Sequence, residues 1–277
     1  MIIFSHNFIR DNYDISYVSL RDVKRFNILY EFFYNYLKNK KENLLNLITT
    51  ENDKLAEFDF QIYSINLSIY ICYYLKISTR YLRQIYIEKI NQIFNYRNFI
   101  EFPQIEEKFL IDNMEILKDI KINCSMLQNI FSLFCAINTN IPIFIYENTD
   151  TNKLFCFKII YNSMKGYWSN NSFFKLFPKI ILFSYNDLLN NNLEEKNDIF
   201  KKVNNIYDRL NEIEKKENIF VIYFNEKEIN RHINLLNNIE IYFANSENKN
   251  ISFAVLYNKI VDEFEISKYL FILNNDK

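Results

Sequence analysis

A single glycine, Gly166, stands among 277 residues, beside three prolines, Pro103, Pro142 and Pro178. An average chain of this length carries about 19 glycines. A glycine-rich phosphate loop or dinucleotide fingerprint needs two or three glycines close together, so no intact one exists here. Histidine is almost as scarce: His6 and His232 are the only two, and the four cysteines, Cys72, Cys124, Cys135 and Cys156, show no C-x-x-C spacing. That set cannot build a cross-braced zinc module, and the thiols read as buried and free in a reducing compartment. Charge of one sign is also missing, with 33 basic against 34 acidic residues and a net of -1. The balance removes the electrostatic footprint of a nucleic-acid or anionic-membrane binder. No apolar run approaches the ~20 residues of a membrane span, and the opening M-I-I-F-S-H-N-F-I-R-D has no basic leader ahead of an apolar core. The expected setting is cytoplasmic.

What the chain has instead is aromatic mass: 27 Phe, 21 Tyr and 1 Trp, or 18% of its residues. Asparagine, lysine and isoleucine are abundant too, while alanine occurs only as Ala56, Ala136, Ala244 and Ala254. A- and T-rich coding accounts for this pattern, so aromatic richness by itself says nothing about stacking on nucleic acid. The length accommodates one large or two modest domains with a sizeable core.

The first half reads as helical. From Ser19, an N-cap with Asp22 three residues on, apolar side chains recur through Val23, Phe26, Leu29, Phe33 and Leu37 at helical spacing. Residues 40–58 are charged and less periodic, a loop or frayed helix. Helices are expected over about 62–76, 78–96 and 115–138, with a turn near Pro103 and a stop before Pro142. The texture then changes to short continuous apolar runs at 141–146, 179–185, 219–224 and 251–257, with helical segments between them and a helix opening near Lys153. Strands alternating with helices predict an α/β domain with a parallel sheet, its four strands buried on both faces. The change of texture falls near residues 100–120.

Taken in order, several motifs resemble the AAA+ region of the mysterin family, giant RING-finger ubiquitin ligases whose single chain carries six AAA+ modules in a ring. Ser19-Leu-Arg-Asp-Val-Lys-Arg25 resembles V-S-L-R-D-V-x-R, which opens a module's small helical lid. Cys72-Tyr73 stands in a stretch similar to A-L-G-V-C-Y-x-x-R-L, with Lys76 in place of the arginine. Asp112-Asn-Met-Glu115 resembles D-N-V-E, and 123–131 resembles N-x-x-L-x-x-N-V-F. Ile141-Pro-Ile-Phe-Ile145 is similar to the first core strand, I-P-L-F-V, and Phe173-Phe-Lys-Leu-Phe-Pro178 to F-F-K-x-F-P. The resemblance spans about residues 17–270. It implies that 1–110 is the helical lid of one AAA+ module and that 111–277 is the P-loop-type nucleotide-binding core of the next, without its own lid. Arg21 would then be a sensor toward nucleotide bound by the preceding module.

The resemblance also places the remains of a nucleotide site. The family's G-x-P-G-S-S-K-S falls on Glu147-Asn-Thr-Asp-Thr-Asn-Lys-Leu154. Lys153 keeps the lysine position, both glycine positions are acidic, and the hydroxyl that would hold Mg²⁺ is Leu154. A phosphate loop relies on positive φ at glycine, which lets backbone N–H groups converge on the phosphates. One carboxylate about 4 Å from a phosphate charge costs on the order of 4 kcal/mol at an effective dielectric near 20. Walker B needs two carboxylates after its strand, and here the pair is Asn225-Glu226, so only the general-base position survives. Asn258 keeps the sensor position. Lys153 reads equally as a solvated first-turn lysine, Glu226 as an exposed strand-end glutamate and Asn258 as a turn-forming asparagine.

The losses of glycine, Mg²⁺ hydroxyl and Walker B aspartate each remove part of the positioning and charge stabilisation that phosphoryl transfer depends on. The expected function is a degenerate AAA+ segment, a pseudo-ATPase with a structural role, whose partners are other AAA+ modules or protein subunits of a mysterin-like ring. No cofactor, zinc, nucleic acid or membrane span is expected. Two alternatives stay open: a weak ATPase or ATP-binding module of a ubiquitin ligase using Lys153, Glu226 and Asn258, with ATP and Mg²⁺ as its cofactors, and a free-standing α/β protein-interaction domain. Ligase activity belongs to the complete family protein, because this chain has no Cys and His cluster for a RING.

Overall fold

The computed structural model describes residues 1–13, 17–45, 60–94, 98–116, 121–147, 150–184, 199–224, 250–257 and 270–274. They divide into two compact units, Met1–Glu106 and Glu107–Lys277.

The first unit is helical, built from α1 (Ile2–Asn12), α2 (Leu20–Leu45), α3 (Phe60–Cys72), α4 (Arg80–Phe94) and the first half of α5 (Glu101–Asp112). Its α2 opens as the sequence predicts. The backbone N–H of Ser19 donates to Asp22 Oδ2 at 2.9 Å, the Ser19 hydroxyl accepts from Arg21 N at 3.3 Å, and these satisfy donors a helix start leaves orphaned. Phe26, Leu29, Phe33 and Leu37 are buried along one stripe. The aromatic surplus is spent here. Tyr86 is fully buried among the rings of Phe4, Phe8, Tyr74 and Phe99, at centroid distances of 5.1 to 6.1 Å. Its hydroxyl meets Ser5 Oγ at 2.7 Å, which lets a phenol sit in the core without an unmet polar group. Burial pushes the Tyr86 hydroxyl well above the usual phenol range, so it stays a neutral hydrogen-bonding group.

Several expected boundaries differ. Two helices, α1 and α5, are additional, and the turn expected near Pro103 is the start of α5. Proline is tolerated in a first helical turn, where its missing N–H would have no partner anyway, and Pro103 is the third residue of α5. The helix expected over 62–76 stops at Cys72 and finishes as a 3-10 turn, Tyr74–Lys76.

The second unit contains α6 (Cys124–Thr139), β1 (Ile143–Glu147), α7 (Asp150–Ser163), β2 (Lys179–Ser184), α8 (Ile199–Asp208), α9 (Glu212–Glu217), β3 (Asn218–Phe224), β4 (Ile251–Tyr257) and β5 (Leu270–Asn274). The five strands form one sheet in the order β2-β3-β4-β1-β5, every pair parallel. Four strands were expected. The fifth, Leu270–Asn274, pairs with β1 in the register Phe144↔Phe271, and its short apolar run carries little signal without that partner. Both faces are covered. The Phe157 ring of α7 meets Tyr223 on one face, and Tyr207 of α8 meets Phe220 on the other. Residues 143–145 and 219–222 are accordingly buried without alternation, as a doubly covered parallel sheet requires.

Helix α6 begins at Cys124, not near Glu115, because the Asn123 side chain caps it by accepting from Met126 N at 2.8 Å. Cys124, as its first residue, is exposed, which corrects the expectation of four buried thiols. Cys72, Cys135 and Cys156 are buried, and burial pushes Cys72 up to about 12, making it an inert core thiol. At the other end of α6, Asn140 adopts φ 55 and Ile141 N donates back to Ala136 O at 3.0 Å. Glycine is the usual residue for that left-handed cap; here asparagine, the next most tolerant, takes it.

Gly166 is the other described residue with positive φ, at +60. A Cβ there would stand 3.3 Å from both Cβ and N of Lys179, the first residue of β2. The one glycine kept in the chain is thus required twice, by conformation and by close approach. Gly166→Ala is expected to lower stability by at least about 1–2 kcal/mol, the cost of the left-handed conformation alone, read as a lowered urea midpoint. An unchanged midpoint would count against a fixed turn.

Candidate functional site

Because every strand is parallel, the carboxyl ends of β1, β3 and β4 lie at one edge of the sheet. In the strand order, the step from β1 to β2 runs past β4 and β3, whereas the step from β4 to β5 runs past β1. With right-handed crossovers, connections leaving adjacent strands in opposite directions pass to opposite faces, and the crevice between them is where open α/β sheets take ligands. That switch point falls between β1 and β4, whose ends are paired as Tyr146↔Tyr257.

Glu147 ends β1 and Asp150 opens α7, so Asp150 is the first helical residue and Lys153 stands in the first turn. A helix N-terminus attracts anions through its unpaired N–H groups and dipole. At this one an acidic residue of the chain already holds the first position, and a second acidic residue ends the strand before it. Leu154, at the hydroxyl position, is 41% exposed. An apolar side chain offers Mg²⁺ no oxygen, and the metal demands oxygen ligands. Leu154 therefore supplies no ligand for Mg²⁺. Asn225, Glu226 and Asn258 lie outside the described residues; in sequence they directly follow β3, which ends at Phe224, and β4, which ends at Tyr257.

Arg21 stands exposed in the first turn of α2. Its motif neighbours turn inward. Asp22 Oδ1 accepts from Lys76 Nζ at 2.6 Å and from Arg25 NH1 at 3.0 Å, and Lys76 Nζ also donates to Tyr17 O at 3.3 Å. Lys76 and Asp22 have no exposed side-chain surface, and Arg25 has 6%. Burial alone would raise the Asp22 carboxyl, but the Lys76 ammonium and Arg25 guanidinium override it and hold Asp22 below the usual range. Burial lowers Lys76, with Asp22 opposing. His6, at 3.4 Å from the Tyr73 hydroxyl, is lowered by burial against the attraction of Asp22. Sequence reading assigned Arg21 and missed this trio. The signal available was Lys76 itself, a lone charge inside the otherwise apolar run 69–77.

Two further motifs meet in the second unit. Glu115, last residue of Asp112-Asn-Met-Glu115, accepts from Lys165 Nζ at 3.0 Å and Asn170 Nδ2 at 2.7 Å, and its N–H donates to Ser163 Oγ at 3.0 Å. Asn113 accepts from Asn171 Nδ2 at 3.0 Å, and the Phe109 ring stands edge-on to Phe173 at 5.2 Å. These contacts fasten the 163–173 connection, which carries the chain from α7 to β2, onto the segment leading into the sheet.

A parallel sheet of this order, with its switch point at the β1–β4 edge and a helical unit ahead of it, defines the α/β architecture of an AAA+ core. The family model described as the RNF213 AAA domain matches residues 119–276, more than half of the chain, and the chain belongs to that family. It is similar to the human E3 ubiquitin-protein ligase RNF213, with 22% identity over 189 residues, which cover 65% of this chain and 4% of the human protein. The AAA+ assignment drawn from the ordered motifs therefore stands. Among the described residues no helix is long and apolar enough to cross a membrane, and no three His, Cys, Asp or Glu side chains gather as a metal would need.

Proposed function

We propose that this chain is a hydrolysis-incompetent AAA+ segment with a structural role in an RNF213-type ring, its 1–110 region standing as the lid of one module and 111–277 as the core of the next. The observation that carries the reading is the opening of α7 at Asp150, next to Glu147 at the end of β1. By the resemblance, acidic residues stand at the two positions where a phosphate loop would place glycine, and one of them is the first residue of the helix whose N-terminus would face the phosphates. Asn225 in place of an aspartate and Leu154 in place of a hydroxyl residue remove both protein ligands through which Mg²⁺ would be held. Glu226 as a general base has no metal-held phosphate to act on. On this reading Arg21, exposed on α2, would act as the sensor toward nucleotide bound by the preceding module, and the partners of this segment would be other AAA+ modules or protein subunits of a ring.

Lys153, kept in the first turn of α7, favours the second reading, residual ATP binding with Asn258 as sensor. Thermal unfolding with and without Mg²⁺-ATP separates the two. The expected result is no shift in melting temperature and no phosphate release, alike for the natural chain and for Lys153→Ala. A ligand at 100 times its Kd would add about 2.7 kcal/mol, so a clear upward shift abolished by Lys153→Ala would establish the second reading and sink the first.

A further inference from the structure

We propose that the Gly166–Trp168 turn anchors a docking surface for another protein, and that the segment it takes is acidic and carries apolar side chains. The only tryptophan of the chain lies in this turn and is 76% exposed, beside Tyr167 at 78%. The rings stand edge-on at 5.5 Å, and the turn packs against the 3-10 turn Phe174–Leu176, whose Leu176 is 59% exposed. Among the described residues the exposed rings are Tyr81, Tyr161, Tyr167 and Trp168, and a Trp, a Tyr and a Leu left together in water form the kind of cluster that supplies interface anchors.

The cluster is held in one geometry. Gly166 is fixed by its positive φ and by contact with Lys179; Lys165 N donates to Ser169 Oγ at 2.9 Å, and Ile180 N donates to Met164 O at 3.1 Å. Glu115 pins both flanks through Lys165 and Asn170. A preorganised anchor loses little conformational entropy on binding.

Charge identifies the occupant. Residues 151–186 contain Lys153, Lys158, Lys165, Lys175 and Lys179 and no Asp or Glu, in a chain whose 33 basic and 34 acidic residues balance overall. Lys175 Nζ sits 5.8 Å from the centre of the Tyr167 ring, and Lys179 is exposed beside Gly166. Such a rim steers and registers an acidic partner around an apolar centre. Single-stranded nucleic acid fits less well. Tyr167 and Trp168 are inclined at 84°, and a lysine stands over the phenol, so successive bases cannot stack on the pair.

The full chain, titrated with a synthetic peptide in which glutamate alternates with leucine and phenylalanine, tests this through Trp168 emission. Expected are a saturable blue shift that weakens as sodium chloride is raised and, with a fluorescein-labelled peptide, about thirtyfold weaker binding to Trp168→Ala. Lys175→Glu combined with Lys179→Glu is expected to weaken binding about tenfold. All three substituted side chains are exposed, so urea midpoints should stay unchanged. The proposal is overturned by equal binding of the peptide with lysine in place of glutamate, or by the absence of a saturable shift. It is equally overturned by tighter binding of oligouridylate, or by a shift that follows protein concentration alone and so reports a second copy.

Discussion

Asp22→Asn is expected to destabilise the helical unit by about 3–5 kcal/mol, the cost of leaving buried charge uncompensated. The carboxylate is shared by two cations, Lys76 at 2.6 Å and Arg25 at 3.0 Å, and all three are almost wholly out of water. An asparagine keeps the shape and one acceptor but removes the charge. Lys76→Met should cost less, because Asp22 keeps Arg25 and the Ser19 N–H. The double variant should fall short of the sum by roughly 0.5–3 kcal/mol, the range for residues in one network. The sign with pH is fixed. Asp22 is depressed in the fold, so its contribution is fully present above about pH 3.9, the unfolded value, and is lost as pH falls through the lower folded value. In Asp22→Asn the opposing attraction on Lys76 disappears, so burial lowers that ammonium further. The folded variant then binds fewer protons than its unfolded chain, and the deficit should shrink as pH rises toward about 10. Urea midpoints followed across pH give both slopes. A loss below about 1 kcal/mol, or a deficit that grows in alkali, would show that the three groups do not act as a buried network.

How far the sequence anticipated these features depended on whether a signal was local. The strand 251–257 was legible to the residue because six of its seven residues are apolar, broken only by Ser252, with no competing helical spacing. The cap at Ser19 and the stripe from Phe26 to Leu37 were legible for the same reason. Pro103 misled, since a proline marks both a break and a permitted first turn, and only the bonding around Asn98–Gln104 distinguishes them. β5 was not legible, because a five-residue run becomes a strand only through its partner β1. The Asp22–Lys76 pair joins residues 54 apart, and no local pattern records such a distance. The nucleotide-site positions are a different case. They were placed by resemblance, and of them the described residues fix Glu147 and Asp150 at the ends of β1 and α7, Lys153 in the first turn, and Arg21 on α2.

Phe144→Ala should cost about 3–5 kcal/mol, the range for truncating a buried ring, while Lys153→Ala should change stability by no more than ~0.5 kcal/mol. Phe144 is fully buried as the second residue of β1, paired with Val255 on β4 and Phe271 on β5. The sheet closes over it from both sides, so the space left by a lost phenyl group cannot collapse without shifting three strands, and the cavity adds to the lost transfer energy. The contrast between these two positions, nine residues apart on the same strand–helix unit, is what a structural role for the core requires. A nucleotide-dependent module invests in both the strand and the lysine; a scaffold needs only the strand. Guanidinium unfolding of the two variants, each with and without Mg²⁺-ATP, measures the contrast directly. A small loss for Phe144→Ala would mean that β1 is not a central strand of the core. A large ATP-dependent loss for Lys153→Ala would return the lysine to a working phosphate site and displace the scaffold reading.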